Sequence, residues 1–137
     1  MEKTIKVREY SEYPGPRYVE QGEFSGEEFY HTILNKAFAE AYKDNGVLNV
    51  DLDNTAGYMS SFLDEAFGNL VYDFSKNIVE KHLCVISNQE PDWIAMLHNE
   101  SFLQWEQRRL KREEPKKTAN HPQWYRLINN KLECQIG

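Results

Sequence analysis

Between residues 51 and 61 the chain reads Asp51-Leu52-Asp53-Asn54-Thr55-Ala56-Gly57-Tyr58-Met59-Ser60-Ser61, directly after the apolar stretch Val47-Leu48-Asn49-Val50. Two carboxylates one residue apart, followed by a threonine, can carry phosphoryl chemistry: one attacks phosphorus and the other moves a proton. A hydroxyl at the start of a helix can instead accept a phosphate, because the unpaired N–H groups and dipole of a helix N-terminus favour an anion. A third reading gives these residues structural work alone. Asp51 or Asp53 closes a strand and caps a turn, and Ser61 with Asp64 caps the helix.

Other reactive side chains are scattered. Ser87 ends the apolar run His82-Leu83-Cys84-Val85-Ile86. Arg17 lies in a Pro/Gly loop, placed to meet a phosphate or a partner carboxylate, or to bridge to Glu20 or Glu23. His31, His82, His98 and His121 lack metal-ligand spacing. Cys84 and Cys134 form no CxxC pair and read as reduced thiols, Cys84 as a small hydrophobe. The stretch GPRYVEQG is followed by no GK[ST] and is not a Walker-type phosphate loop. Trp93, Trp105 and Trp124 read as packing residues. No cofactor and no metal is called for.

The elements that must position these residues follow from periodicity. KTIKVREY alternates, with Ile5 and Val7 on one side, and reads as a first strand. After a loop, Ser25 opens a helix with Glu28 in a capping box; Phe29, Ile33, Leu34, Ala37, Phe38 and Ala41 form its apolar face. Gly46 suits the left-handed position that ends it. VLNVDLD reads as a central strand. A second helix starts at Ser60 or Ser61, KHLCVIS reads as a third strand, and Pro91 fits the first position of a third helix. Its buried face is Trp93, Ile94, Leu97, Phe102 and Trp105. Strand–helix alternation of this kind predicts an α/β fold with a small mainly parallel or mixed sheet and helical crossovers. A charged run follows, with six basic residues between Arg108 and Lys117. Glu113 and Glu114 interrupt it, which favours a solvated face. QWYRLINNKLECQI then reads as a hairpin turning at Asn129-Asn130.

A chain of 137 residues with 40% hydrophobic content and net charge -6 can build one core. The charge disfavours nucleic acid and anionic membranes as partners. The apolar runs are too short to span a bilayer, and MEKTIKVREY does not read as a secretory signal, so a cytoplasmic location is expected.

Two resemblances bear on function. Asp51-x-Asp53-x-Thr55 resembles the DxDxT signature of haloacid-dehalogenase-type phosphatases, with Ser87 similar to that family's second motif. That chemistry also requires a lysine and an acidic pair at a strand end for the metal; Glu113-Glu114 lies in a charged run instead. The segment DLDNTAGYMSSFL, in turn, is similar to the DL…(D)SSGL segment of STAS domains, the anti-anti-sigma and sulphate-transporter family. Ser60 then falls on the serine that a partner kinase phosphorylates, Ser61 on the next serine and Leu63 on the apolar helix residue. Met59 replaces the usual aspartate and Phe62 the usual glycine. GPRYVEQGEFSGEEF followed by VDLDNTAGYMSSFLDEAFG resembles the STAS-like domains of unknown function of bacteria and their mobile elements, over about residues 4–100. Some members of that group are encoded beside, or fused to, histidine-kinase-type ATPase domains.

The resemblance implies a non-enzymatic regulatory domain of bacterial or phage origin, acting by protein–protein contact with such an ATPase as partner. Its expected layout is a STAS-like α/β domain over 1–106, a charged linker over 107–122 and a C-terminal hairpin over 123–137 packed on the domain. The expected partner-binding or phosphorylation residues are Ser60, Ser61, Arg17, Asp53 and Thr55. A phosphatase and a small acidic inhibitor from a mobile element are the rival readings.

Overall fold

The computed structural model describes residues 2–136. Strands β1 (Glu2–Lys6), β2 (Val47–Asp51) and β3 (Leu83–Ile86) form a parallel sheet in the order β1-β2-β3. Register aligns Ile5, Val50 and Val85 across it. Val50 and Leu48 are fully buried beneath the helices. The next row, Thr4, Asn49 and Cys84, points the other way, and Thr4 and Cys84 are exposed. Parallel sheets usually have both faces covered; this one is covered on one side. Cys84 is therefore an exposed thiol, not the core hydrophobe its apolar neighbours suggest.

β1 stops one residue before the alternation does. Val7 opens the single helical turn α1 (Val7–Tyr10), which buries Val7 and turns Arg8 toward Asp51. The crossover to β2 then runs through α2 (Gly26–Phe29), a π-helical turn Tyr30–Leu34 and α3 (Asn35–Lys43). Ser25 Oγ accepts the Glu28 N–H at 3.1 Å, as expected of the cap, but Glu28 Oε1 accepts from Tyr10 instead of reaching back. The helix ends with Gly46 N–H on the Ala41 carbonyl and Asn45 N–H on that of Tyr42. Asn45, at φ 52°, takes the left-handed position that Gly46 was expected to hold.

α4 (Ser60–Phe74) is the central helix, and from Phe62 onward it is buried on all sides except at Asp64. Its buried surface is apolar apart from a stripe at Glu65, Asn69 and Asp73, and these buried polar groups are all hydrogen-bonded. Gly68 lets it meet α7 (Phe102–Leu110): a Cβ there would lie 2.1 Å from Trp105 Cε2. Ser75, at φ 82°, breaks the chain into α5 (Lys76–His82), which leads to β3. α6 (Asp92–Met96) continues through a second π-helical turn, Leu97–Ser101, into α7. Pro91 is the N-cap of α6 rather than its first helical residue.

Beyond α7 the chain folds back with Pro115 buried and ends in the hairpin β4 (Trp124–Ile128) and β5 (Lys131–Gln135). Asn129 (φ 51°) and Asn130 (φ 64°) make the expected turn. The Asn35 amide holds β4 like a neighbouring strand, accepting from Tyr125 N–H at 2.8 Å and donating to its carbonyl at 2.9 Å.

Candidate functional site

Loops 11–25, 52–59 and 87–91 leave the carboxyl ends of the three strands and meet there. Open α/β sheets bind ligands in the crevice at this edge. Here side chains and backbone fill it. Asp53 Oδ1 accepts from Gln89 N–H at 3.0 Å and Oδ2 from Asn88 N–H at 3.2 Å, clamping the β3 loop to the β2 loop. Gln89 Oε1 accepts from Asn54 N–H at 2.7 Å. Ser87 Oγ donates to the Glu90 carbonyl at 2.6 Å, and Thr55 Oγ1 accepts from Gly57 N–H at 3.3 Å. Tyr58 donates to the Leu52 carbonyl at 2.6 Å. Burial pushes its hydroxyl up to about 12, and the nearby Asp51 and Asp53 carboxylates add to the shift, so it stays a donor. The space left among Leu52, Asp53, Ser87 and Trp93 is about 20 Å³, roughly one water.

Asp51, the would-be nucleophile of the phosphatase reading, is an ion-pair partner. Its Oδ2 accepts from Arg8 at 3.3 Å and its Oδ1 from Asp53 N–H at 2.9 Å. Among the described residues, no group of three or more His, Cys, Asp or Glu side chains could hold a metal ion.

A second cluster surrounds the start of α4. Met59 is the N-cap residue, and neither serine caps the helix with its side chain. Ser60 and Ser61 are its first two residues, Ser60 exposed and Ser61 half-buried. Arg17 crosses from the first loop to donate to Asp64 Oδ2 at 2.8 Å and to Glu65 Oε1 at 3.1 Å. It does not bridge to Glu20 or Glu23 as sequence proximity suggested; Glu20 pairs with Lys116. Glu65 is 1% exposed, and burial raises its pKa against the pull of Asn69 and Arg17. Trp105 Nε1 donates to Asp64 at 3.2 Å, completing the acid's shell. Ser60, Arg17 and Asp64 share a shallow groove of about 190 Å³. The expected residues thus divide in two: Arg17 and Ser60 meet in this groove, while Asp53 and Thr55 serve the loop clamp. Two acids inside the apolar run Phe62-Leu63-Asp64-Glu65-Ala66-Phe67 signal that a charged partner is needed, but no local feature names Arg17 as that partner.

Three large apolar side chains stand exposed on the same loops: Tyr13 at 69%, Met59 at 53% and Phe24 at 41%. The loops are tied together. Ala56 N–H donates to the Glu12 carbonyl, Gly15 N–H to that of Phe24, and Gly26 approaches α4 so closely that a Cβ would lie 2.4 Å from Phe62 O.

Sequence reading missed a polar stripe. Glu27, His31 and Asn35 recur every four residues on the first crossover, and all are buried. Glu27 accepts from Val19 N–H (3.0 Å), Thr118 N–H (2.8 Å), Thr118 Oγ1 (2.6 Å) and His121 Nε2 (2.6 Å). Burial alone would raise its carboxyl pKa; these donors hold it below the ordinary value. Asp73, also buried, accepts from Tyr30 and from Arg126.

The fold defines a small α/β domain with a one-sided parallel sheet and a filled carboxyl-edge crevice. Residues 25–93, about half of the chain, match the family described as a STAS-like domain of unknown function (DUF4325), and the chain belongs to that family. No curated protein and no solved structure matches it.

Proposed function

We propose that the chain is a regulatory domain that binds a protein partner through the carboxyl-edge loops and the first turn of α4. The observation behind this reading is the pairing of a crevice of about 20 Å³ with exposed Tyr13, Phe24 and Met59 around it. That crevice has little room for a small substrate, and the loops offer apolar anchors of the kind that dominate interfaces, with an open groove of about 600 Å³ beside Phe24 on the first loop. The partner proposed is a histidine-kinase-type ATPase, as the family resemblance implies, and Ser60 is the proposed site of phosphorylation. Phosphate on Ser60 would sit at the positive end of α4 and add about -1.5 to -2 charge. It would face Asp64 one turn on and compete for Arg17, drawing that cation from the buried Glu65 and loosening the first loop.

The test is binding to an ATPase domain encoded beside the gene, measured by titration calorimetry. Met59→Glu should weaken binding about tenfold or more, while Leu103→Glu, an equally exposed apolar site on α7, should not. Equal loss in both variants, or no complex with the wild-type chain, counts against the proposal. Phosphate found by mass spectrometry on Ser60 after incubation with ATP, and its absence in Ser60→Ala, tests the switch.

A further inference from the structure

At the far end of α4 from these loops a groove of about 630 Å³ opens between the α4–α5 junction, the end of α7 and the β4–β5 hairpin. Its volume falls within the range of small-molecule sites, about 300–1,000 Å³. Three guanidinium groups line it, Arg109, Arg112 and Arg126, in a chain of net charge -6. Their commitments differ. Arg109 is held by Glu106 at 2.9 and 2.7 Å. Arg126 donates Nε to the buried Asp73 at 2.7 Å and turns its two terminal nitrogens on Glu114, at 2.7 and 3.2 Å. Arg112 is exposed and makes no ion pair among the described residues.

The Arg126–Glu114 fork is the geometry with which a guanidinium grips a carboxylate or a phosphate. Glu114 has a 58% exposed side chain, and its other charged contact is Lys117 at 3.9 Å. Because Glu114 is exposed, an anion that replaces it in this grip leaves no carboxylate stranded without solvent. Asp73 stays behind to hold the orientation of Arg126, as an anchored binding group requires. Four non-glycine residues with positive φ line the same walls: Ser75 (82°) at the α4–α5 junction, Arg112 (58°) just past α7, and Asn129 (51°) and Asn130 (64°) at the hairpin turn. Ile78 and Leu127 supply apolar wall.

We propose that this groove binds a phosphorylated small molecule: its phosphate displaces Glu114 from Arg126 and takes Arg112 as a second ligand, and its apolar part lies on Ile78 and Leu127. The site is separate from the loops of the preceding section and stands independently of that reading.

Titration calorimetry of the full chain with phenyl phosphate, inorganic phosphate and benzoate tests it. Phenyl phosphate should bind one to one and more tightly than either of the others. Arg112→Asn keeps a residue that tolerates the left-handed backbone and should weaken binding about tenfold or more. Glu114→Gln removes the resident competitor and should tighten it about threefold. Lys111→Ala, with the same charge change just outside the groove, should do neither. Absence of phenyl phosphate binding overturns the site. Benzoate binding as tightly overturns the phosphate assignment. Equal losses in Arg112→Asn and Lys111→Ala, or no gain in Glu114→Gln, overturn the geometry, with thermal melts confirming that each variant is folded.

Discussion

His31 stacks on His121 with ring centroids 4.1 Å apart and 11° between the planes, and its buried Nδ1 has no hydrogen-bond partner among the described residues. Burial, with the positive charges of His121 and Lys117 adding to it, pushes its pKa down from the usual 6.5 to about 3. The folded chain thus keeps this ring neutral where the unfolded chain protonates it, and stability from this residue is lost as pH falls below about 6.5. Asp73 acts oppositely: burial raises it from 3.8 to about 6, so below that value the folded state binds the extra proton and gains. The two overlap between about pH 4 and 6, so the wild-type curve mixes them. His31→Phe separates them. Relative to wild type, this variant should gain about 2 kcal/mol in urea unfolding at pH 5 compared with pH 7.5. A pH-independent difference would mean that His31 titrates alike in both states.

At the scale of elements, α4 packs against α2, α5, α7 and β4, and its contact with α7 depends on one missing side chain. Gly68→Ala would drive a methyl into the Trp105 indole. The expected loss is about 1–3 kcal/mol, with a shifted Trp fluorescence maximum; a neutral change would show that α7 slides freely. The strands, the hairpin and the Ser25 cap were legible because local signals carry them: alternation, Asn-Asn at the turn, a hydroxyl three residues before an acid. Three features were not. Val7 continues an alternating pattern but bends into α1, where its side chain is fully buried and Arg8 meets Asp51, 43 residues away. The π-helical turns Tyr30–Leu34 and Leu97–Ser101 have no local signature, since their extra residue answers to packing. Arg17 was legible as a loop cation, but its true partners lie 47 and 48 residues on. The serines were found correctly at the start of α4, yet Met59 takes the cap position, and nothing in the spacing distinguished the two arrangements.

Over the whole molecule, the C-terminal segment is tied down by two buried polar clusters. Glu27 holds Thr118 and His121, while Asn35 and Asp73 hold Tyr125 and Arg126. Removing one side of a buried charge pair costs about 3–5 kcal/mol, so a chain cut after Leu110 should lose well over that. Its melting temperature should fall by more than about 10 °C, or its transition should broaden beyond two-state form in calorimetry. A sharp melt within a few degrees of the intact chain would make the segment a passive appendage.

The polar stripe at positions 27, 31 and 35 is therefore half of a lock whose key is supplied some 90 residues later. A homologue without that key must fill the same positions with aliphatic residues or leave them wet. The identities at 27, 31, 35 and 73, taken jointly, become a four-letter barcode that sorts members by whether their tails are docked, before any of their structures is known.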